Sequence, residues 1–203
     1  MKENRNNPEE DLPLVWELLK TEHLVTDRWI DFRKETYRFP DGTVFEPFYT
    51  YSRRDYAVIV ARDTEGRYIT VRQFRQGLKE VTNEFVAGGI ERKDGKQYGD
   101  RGQSAAAENA LMAAKCELEE ESGYVSDNWR PLLAIPSNAT IADNYAYLFA
   151  ADNCRRVTSQ HLDETEFLNV RLVSEEELTA LIHAGRFQQA MHILAFMLAR
   201  NSF

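Results

Sequence analysis

The segment 104–124, SAAAENALMAAKCELEEESGY, constrains the fold of this chain more than any other stretch of the sequence. Alanine, leucine and glutamate dominate it, and all three residue types favour helix. Ser104 is a suitable N-cap, and Gly123 is a suitable C-terminal stop. The segment therefore predicts one long helix with a defined beginning and end.

Three glutamates lie close together on this predicted helix. Glu117, Glu120 and Glu121 are spaced i, i+3 and i+4, which places them on one face. Three carboxylates in such proximity repel each other at neutral pH, and a divalent cation offsets that repulsion. Mg²⁺ takes oxygen ligands and is commonly shared between carboxylates, waters and substrate phosphates. The triplet thus favours a metal-binding helix, and a solvated acidic face is the alternative interpretation.

Short apolar runs separated by turns surround the predicted helix on both sides. They predict strands at residues 56–62, 67–74, 80–90, 131–135, 145–151 and 167–173. Residues 174–185 predict a second helix, with Ser174 as the cap and Gly185 as the stop. Residues 187–200 predict a third. This pattern is typical of an α/β (α+β) fold in which a mixed sheet is sandwiched between helices.

The segment before these strands has a different character. Residues 13–24 carry apolar side chains at near-helical spacing and predict a short helix. Residues 27–49 alternate apolar and polar side chains around a turn at 40–42, PDG, and so predict an antiparallel β-hairpin. The aromatic content of this hairpin is high for an edge element. It indicates packing against a dimer partner or against the rest of its own chain.

The organisation predicted from these patterns has three parts. They are a flexible lead-in at 1–12, an N-terminal helix and hairpin at 13–52, and the main domain at 53–203. The lead-in lacks the apolar core of a secretory signal, and the sequence has no run of about 18 apolar residues. Cys116 and Cys154 are too few for a disulfide framework. We therefore expect a cytoplasmic protein without a membrane partner.

The formal net charge of −8 bears on the partners of the chain. Nucleic-acid binding depends on lysine and arginine side chains that neutralise phosphates, so an acidic protein is not expected to bind nucleic acid. A small phosphorylated ligand is compatible with this charge, because bound cations bridge carboxylates and phosphates.

The three glutamates belong to a longer pattern. Gly102 is followed after five residues by Glu108. After seven intervening residues, Cys116 precedes the stretch ELEEESGY at 117–124. This pattern resembles the Nudix box, G-x5-E-x7-R-E-U-x-E-E-x-G-U, in which U is an apolar residue. Cys116 replaces the arginine of the box, Tyr124 is a loose fit to its last aliphatic position, and every other defined position matches.

A stretch upstream carries the same resemblance. Residues 84–91, EFVAGGIE, resemble the E-F-P-A-G-x-x-E segment of Nudix enzymes that act on ADP-ribose, in which the glycine after alanine begins the box. Gly88 and Gly102 cannot both occupy that position. We favour Gly88, with residues near 92–103 as an insertion. The alternative keeps Gly102 and treats the upstream match as coincidence.

The resemblance covers residues 14–200 in outline. Residues 54–77 are similar to the strand-turn-strand of ADP-sugar pyrophosphatases and contain their Q-[FY]-R motif as QFR at 73–75. Residues 162–200 resemble their ending, and the N-terminal helix and hairpin resemble the segment with which they dimerise. The resemblance implies a Nudix fold, a homodimer and Mg²⁺- or Mn²⁺-dependent hydrolysis of the diphosphate linkage in ADP-ribose or a related nucleoside diphosphate sugar.

The resemblance also implies roles for individual acidic residues. The implied metal ligands are three carboxylates and one backbone carbonyl, those of Glu117, Glu121, Glu166 and Ala87. The implied catalytic residues are Glu164, as the general base, and Glu120. Glu164 and Glu166 lie in the acidic loop 163–166, and their two roles are interchangeable on the sequence alone. A polar turn is the alternative interpretation of this loop.

Substrate contacts follow from the same resemblance. Arg75 corresponds to an arginine that pairs with the diphosphate, and Arg53 and Arg54 lie where the family has another arginine on the phosphate side. Glu84 corresponds to a glutamate that binds the ribose side, and Trp29 corresponds to a tryptophan that stacks on adenine in related dimers. A surface ion pair for Arg75 and a core position for Trp29 are the alternatives.

Two departures from the family pattern leave more than one function open. Cys116 removes a cation that pairs with the box glutamates, so we expect lower activity or weaker metal affinity. Residues 136–139, PSNA, stand where the ADP-ribose branch has S-P-G, in a loop that helps to set substrate choice. The alternatives are a Nudix hydrolase of another diphosphate, of dinucleotide or coenzyme A type, and a catalytically weakened Nudix-fold binding module.

Overall fold

The structure, a computed structural model, describes residues 12–91, 103–162, 164 and 166–200. These residues fall into two compact units, each of which combines two segments of the chain. The first unit takes residues up to Arg53 together with Asn138–Asp143, and the second takes Arg54–Ser137 and the residues from Asn144 onward. The predicted lead-in and loop insertion lie almost entirely outside the described residues.

The first unit is a three-stranded antiparallel sheet. Its strands run in the order β1 (Glu17–Thr26), β2 (Asp31–Arg38) and β3 (Val44–Ser52). β2 and β3 pair as a hairpin, with Gly42 at φ +87° in the connecting turn. Glycine suits this turn because a side chain is strained at such a φ. The hairpin predicted for residues 27–49 is thus confirmed.

The helix predicted for residues 13–24 is wrong. Leu12–Leu14 form a single 3-10 turn, and the ten-residue strand β1 follows it. β1 pairs with β2 along its whole length, with two irregularities in the register. The preference of leucine and glutamate for helix is weak, and pairing with a neighbouring strand outweighs it.

The second unit is built on a seven-stranded mixed sheet. In chain order its strands are β4 (Tyr56–Asp63), β5 (Tyr68–Arg75), β6 (Glu80–Gly89), β7 (Tyr124–Val125), β8 (Asn128–Pro136), β9 (Tyr145–Arg156) and β10 (Leu168–Val173). The spatial order is β10-β5-β6-β4-β9-β7, and β8 pairs with β9. β4 and β9 are parallel, whereas the other pairs are antiparallel. All six predicted strands of this unit are present, and β7 is a further short one.

Helices cover both faces of this sheet. They are α1 (Gln103–Ser122), α2 (Glu175–His183) and α3 (Ala190–Ala199). α1 buries Ala114 and Leu118 in the core on one face, and α2 and α3 bury Leu178 and Phe196 in the core on the other. The predicted class, a mixed sheet sandwiched between helices, is confirmed. None of the helices in the described residues is long and apolar enough to cross a membrane.

The predicted end of α1 is confirmed, and its predicted N-cap is wrong. Gly123 has φ +76°, and its N–H donates to the Glu119 carbonyl oxygen at 2.7 Å, so the glycine stops the helix. At the other end, the described part of the helix already includes Gln103 and Ser104. Ser104 is therefore within the helix and is not the residue that precedes it.

The predicted cap and stop of α2 are both present. The Ser174 side chain accepts a hydrogen bond from the Glu177 N–H at 3.2 Å, as an N-cap does. Gly185 follows the helix with φ +65°. These ends fix where the chain leaves β10 and where it turns back toward α3.

Candidate active site

The C-terminal half of α1 places its acidic side chains in different environments. Leu118 is fully buried against the sheet, and Glu121, three residues further on, is only 3% exposed. Glu117 is half-buried, whereas Glu119 and Glu120 are exposed. The helix therefore turns Glu117 and Glu121 toward the sheet, one turn apart, and leaves Glu120 on its exposed side.

α1 meets β6 at Ala87 and Gly88. The Ala87 N–H donates to Glu121 Oε2 at 3.4 Å. A Cβ at Gly88 would lie 1.8 Å from the carboxyl carbon of Glu117 and 1.9 Å from one of its oxygens. The lack of a side chain at Gly88 is therefore what lets the Glu117 carboxylate lie against the β6 backbone. This contact supports Gly88 as the structural start of the box, and Gly102 lies outside the described residues.

The Glu121 carboxyl has a strongly raised pKa. Burial raises the pKa of its carboxyl well above the usual range, and the negative charges of Glu117 and Glu166 raise it further. The Ala87 N–H and the positive charge of Arg75 oppose this rise but do not cancel it. The site therefore has an excess of negative charge that a bound cation would offset.

Two hydrogen bonds hold the segment before β10 against the C-terminal end of α1. The His161 N–H donates to the Glu120 carbonyl oxygen at 2.9 Å. Gln160 Nε2 donates to the Glu121 carbonyl oxygen at 2.8 Å. Carbonyls in the last turn of a helix have no partner within the helix, so these bonds satisfy them. The acidic segment that follows thus starts from a fixed place beside the box glutamates.

Glu166 and Glu164 occupy unequal positions in that acidic segment. Glu166 is partly buried, and its charge acts on Glu121. The structure therefore places Glu166 near enough to Glu121, another predicted metal ligand, to raise the pKa of its carboxyl. Glu164 is exposed. Asp163 and Thr165 lie outside the described residues.

Arg75 and Glu84 form a two-armed ion pair between β5 and β6. Arg75 Nε donates to Glu84 Oε1 at 2.8 Å, and Nη2 donates to Oε2 at 2.5 Å. The Glu84 side chain is 0% exposed and that of Arg75 is 33% exposed. Burial works to raise the pKa of the Glu84 carboxyl, but hydrogen bonds from Arg75 and Thr82 outweigh it and hold that pKa below its usual value. The two residues, predicted as separate substrate contacts, are thus paired with each other.

Three neutral side chains complete the surroundings of the Glu84 carboxylate. Thr82 Oγ1 and Gln189 Nε2 donate to Oε1, the latter at 3.3 Å, and Gln73 Nε2 donates to Oε2 at 3.4 Å. The sequence offers a signal for Gln73 only, because it belongs to the QFR motif. Thr82 and Gln189 are recognisable only once the strand register and the position of α3 are known.

His192, to which no role was assigned from the sequence, lies on α3 beside β6. Its Nδ1 accepts a hydrogen bond from the Phe85 N–H at 3.0 Å. Burial lowers the pKa of the imidazole to about 4, although the charge of Glu84 works in the other direction. The ring is therefore neutral at physiological pH, and it holds the strand next to the residue that pairs with Arg75.

Trp29 and Arg53 belong to the first unit. Trp29 lies just before β2 and is 56% exposed, and the guanidinium carbon of Arg28 is 4.4 Å from the centroid of its ring. The alternative of a core position for Trp29 is therefore wrong. Arg53, which follows β3, is exposed as well.

The donor set on α1, β6 and the acidic segment suits a hard divalent cation. The predicted ligands, which are the Glu117, Glu121 and Glu166 carboxylates and the Ala87 carbonyl, would offer oxygens alone, the donors that Mg²⁺ and Mn²⁺ prefer. Within the described ranges, no three His, Cys, Asp or Glu side chains already enclose a common point. A bound ion would therefore need backbone, water and substrate oxygens in addition to carboxylates, as is usual for Mg²⁺.

The family of the chain follows from a match over most of its length. The family model described as NUDIX domain matches residues 52–193, which include β4 to β10 and α1. The chain therefore belongs to the Nudix family. By class it is a Nudix pyrophosphohydrolase.

Individual relatives are similar to this chain over most of its length. The "ADP-ribose pyrophosphatase" of Bacillus subtilis (strain 168) is 27% identical over 170 residues, which cover 83% of this chain and 84% of that protein. The "Methanol dehydrogenase activator" of Bacillus methanolicus is 24% identical over 184 residues, with coverage of 87% and 88%. A solved structure of an "ADP compounds hydrolase" has a TM-score of 0.71 at 19% identity over 93% of this chain and 94% of that chain, and it supports the fold.

Proposed function

We propose that this Nudix hydrolase cleaves the diphosphate linkage of ADP-ribose or a related nucleoside diphosphate sugar with the help of Mg²⁺ or Mn²⁺. The observation that carries the proposal is the buried carboxyl of Glu121, placed within the field of Glu117 and Glu166 where α1 meets β6. Like charges with so little access to water destabilise a fold, and a cation removes that cost. The likeness to an ADP-ribose pyrophosphatase supports the substrate class.

The proposed metal site combines α1, β6 and the acidic segment. Glu117, Glu121 and Glu166 supply carboxylates, and Ala87 supplies its backbone carbonyl. A divalent cation bound there lowers the pKa of a water and neutralises charge on phosphate oxygens. Gly88 keeps the Glu117 carboxylate close to the β6 backbone, so that carboxylate and carbonyl donors face the same ion.

The proposed general base is Glu164. Its exposed carboxylate follows the part of the chain that is tied to the end of α1, and it takes the proton from the attacking water. Glu120 is the second proposed catalytic carboxylate, on the exposed side of α1. Because both side chains are exposed, they can adjust their positions when a substrate arrives.

The proposed substrate contacts centre on Arg75. Its Nε and Nη2 are engaged by Glu84, and a guanidinium has five N–H donors, so donors remain for a diphosphate oxygen. Since Glu84 is fully buried, we propose that it positions Arg75 and does not contact the ribose itself. Trp29, for adenine, and Arg53, for phosphate, are substrate contacts that we propose from the family resemblance.

The proposal is tested by phosphate-coupled hydrolysis of a substrate panel. The panel contains ADP-ribose, other nucleotide sugars, NADH, diadenosine polyphosphates and coenzyme A, each with Mg²⁺, Mn²⁺ or EDTA. Cleavage of ADP-ribose that EDTA abolishes is the expected result. Cleavage of a dinucleotide or of coenzyme A alone would retain the metal mechanism and overturn the substrate. No cleavage of any compound would favour the alternative of a binding module.

Replacing Gly88 by alanine is expected to weaken metal binding at least about tenfold. The new Cβ would overlap the Glu117 carboxylate, which must then move away from Ala87. Gly89→Ala is the matched control, because a Cβ at Gly89 would meet only the Arg54 side chain, at 3.9 Å. Mn²⁺ titration followed by calorimetry measures both variants. Equal affinities for the two would show that Glu117 does not need this space.

Replacing Cys116 by arginine is expected to raise turnover or metal affinity. Cys116 is exposed directly before Glu117, and an arginine there would return the counter-charge that the box normally contains. Cys116→Ser is the matched control, since it changes the side chain without adding charge. The measurement is the Mg²⁺ dependence of ADP-ribose hydrolysis. Unchanged turnover and metal affinity in Cys116→Arg would contradict the counter-charge explanation.

We also propose that the chain forms a homodimer through the sheet of the first unit. Every residue of β1 is exposed, and a cluster of aromatic rings lies on the sheet, with Trp16 4.5 Å from Phe39 and 5.3 Å from Phe48 between ring centroids. Large exposed apolar surfaces of this kind mark interaction sites. Light scattering is expected to give twice the chain mass, and Trp16→Glu is expected to give the monomer. A monomeric parent chain would contradict the proposal.

A further inference from the structure

A depression of about 380 Å³ lies on the face of the large sheet opposite α1. Its lining comes from β5, β6, β10, α2 and the connection between α2 and α3: Arg72, Glu80, Val81, Asn83, Arg171, Leu181, Arg186 and Gln188. Asn83 lies between Thr82 and Glu84 on β6, so strand alternation directs its side chain to the opposite face from theirs. The Arg75–Glu84 pair is nevertheless close to the depression, because Gln189, which follows the lining residue Gln188, donates to Glu84 at 3.3 Å. The volume is within the range of small-molecule pockets.

The charge of this pocket is positive. Arg72, Arg171 and Arg186 line it, against one lining carboxylate, that of Glu80. Glu80 accepts a hydrogen bond from Gln188 Nε2 at 3.0 Å. Arg171 is paired with Glu177 at 2.7 Å, which leaves the net charge of the group positive. In a protein of net charge −8 such a grouping is a local exception, and it favours an anion.

Two hydrogen bonds hold the backbone of Arg186 at the edge of the pocket. The Arg186 N–H donates to the Leu181 carbonyl oxygen at 2.9 Å, and the Arg186 carbonyl oxygen accepts from Asn83 Nδ2 at 2.8 Å. The backbone N–H of Arg186 is therefore bonded to α2, and its carbonyl oxygen is bonded to β6. The guanidinium groups of Arg72 and Arg186 are thus presented from anchored backbone positions, which reduces the ordering cost of binding.

An aromatic surface adjoins the arginines. Phe74 is 56% exposed and lies on β5 directly opposite Val81, a residue of the pocket lining. Phe74 and Arg72 are two residues apart on the same strand and therefore share a face. A planar ring placed on Phe74 would stack on it, as bases do on exposed aromatic side chains.

We propose that this pocket is a second ligand site that binds a nucleotide, with the phosphate held by Arg72 and Arg186 and the base placed on Phe74. Arginine forks match phosphate oxygens in geometry and charge, and the aromatic ring accounts for a base. The site is distinct from the proposed metal site on α1, because its lining residue Leu181 belongs to the core cluster of α2 and α3 and not to that of α1. It requires no metal ion.

AMP is the probe for this site, titrated by calorimetry into the full chain in the presence of EDTA. Saturable binding is expected, and because AMP carries the groups that the proposed active site takes as well, the comparison of two double variants assigns the binding to this pocket. Arg72→Gln/Arg186→Gln is expected to weaken it at least about tenfold, because two charge-assisted contacts are lost. Arg155→Gln/Arg156→Gln on β9 removes the same charge elsewhere and is expected to bind AMP like the parent chain. Absence of saturable binding, or equal binding by the two double variants, would overturn the proposal.

The variant Phe74→Ser tests the contribution of the base to binding separately from that of the phosphate. It is expected to weaken AMP binding by about fivefold or more, the lower end of the cost of losing one stacked base. Binding of ribose 5-phosphate, which has no base, is expected to stay unchanged in this variant. Equal losses for AMP and ribose 5-phosphate, or no loss for AMP, would overturn the role of Phe74.

Discussion

Glu121→Gln is expected to reduce metal-dependent hydrolysis by more than about 100-fold. This loss is larger than the loss expected from replacing a residue that supports a metal ligand without binding the metal itself. The amide keeps the size of the side chain and can still accept from the Ala87 N–H. It removes the negative charge that Glu117 and Glu166 need beside them to hold a cation. The measurement is the initial rate of phosphate-coupled ADP-ribose hydrolysis over a range of Mg²⁺ concentrations.

The same substitution is expected to stabilise the protein when no metal is present. Because the pKa of Glu121 is raised in the folded state, the folded chain holds this proton more tightly than the unfolded chain. The stability this provides is complete below the unfolded pKa of about 4.3, and it is lost as the pH rises through the raised value. In EDTA we therefore expect the parent chain to melt at a lower temperature at pH 8 than at pH 5, and Glu121→Gln to show a smaller difference.

Glu119→Gln is the matched control for both measurements. It lies on α1 two residues away, it is exposed, and it removes the same charge. We expect parent-like hydrolysis and a parent-like dependence of melting on pH. Parent-like hydrolysis by Glu121→Gln would refute the proposed metal site. Equal stabilisation by Glu119→Gln and Glu121→Gln would show that the effect reflects net charge and not burial.

The parts of the fold that could be predicted from the sequence are those with a local signal. The α1 segment has its own composition and a stop at Gly123, and β4 to β6 are short apolar runs bounded by turns, so their identity does not depend on distant residues. Residues 13–24 lack such a signal, because leucine, lysine and glutamate are compatible with helix and strand. What makes β1 a strand is its pairing with β2, which no local pattern reveals.

The candidate site likewise has features that could be predicted from the sequence and features that could not. Glu117 and Glu121 could be predicted because an i, i+4 spacing fixes their common face whatever surrounds the helix. The burial of Glu121 could not, since it depends on how α1 lies on β6. The pairing of Arg75 with Glu84 depends on the register of β5 against β6, in which Val71 stands opposite Glu84. Each residue was identified from its motif, but their relation to each other required the register.

Glu84→Gln is expected to lower the free energy of unfolding by about 2–3 kcal/mol. Breaking a buried ion pair on one side costs about 3–5 kcal/mol, and the 33% exposure of the Arg75 side chain lets water compensate part of it. In the amide, one of the two carboxylate oxygens of Glu84 is replaced by an NH₂ group. That group donates and cannot accept the hydrogen bonds that Thr82, Gln189 and Gln73 give to the carboxylate. For a domain of this size the melting temperature is expected to fall by roughly 4–12 °C.

The pH dependence identifies the charge of Glu84 as the cause of this loss. Its pKa is lowered in the folded state, so its stabilisation is present above the unfolded value of about 4.3 and is lost as the pH falls through the lowered value. The gap in melting temperature between the parent chain and Glu84→Gln should therefore be widest near neutrality and narrow below about pH 4. As the pH falls from 6.5 toward about 4, His192 destabilises both proteins. It does so at least as much in Glu84→Gln, because the charge of Glu84 raises the pKa of this histidine, so a narrowing gap does not come from His192.

Asp127→Asn is the control for the loss of a surface ion pair. Asp127 accepts from Arg155 at 2.9 Å, but the two side chains are 86% and 56% exposed, and such pairs contribute little. We expect no measurable shift in the melting temperature of Asp127→Asn at any pH.

If Glu84→Gln also melts at the temperature of the parent chain, the buried Arg75–Glu84 pair does not contribute to the stability of the fold. If it melts lower but with a gap that stays constant down to pH 3, the loss comes from packing and not from the ion pair. Only a pH-dependent gap, together with a raised KM for ADP-ribose and little change in kcat, supports Glu84 as the residue that positions Arg75 for the diphosphate.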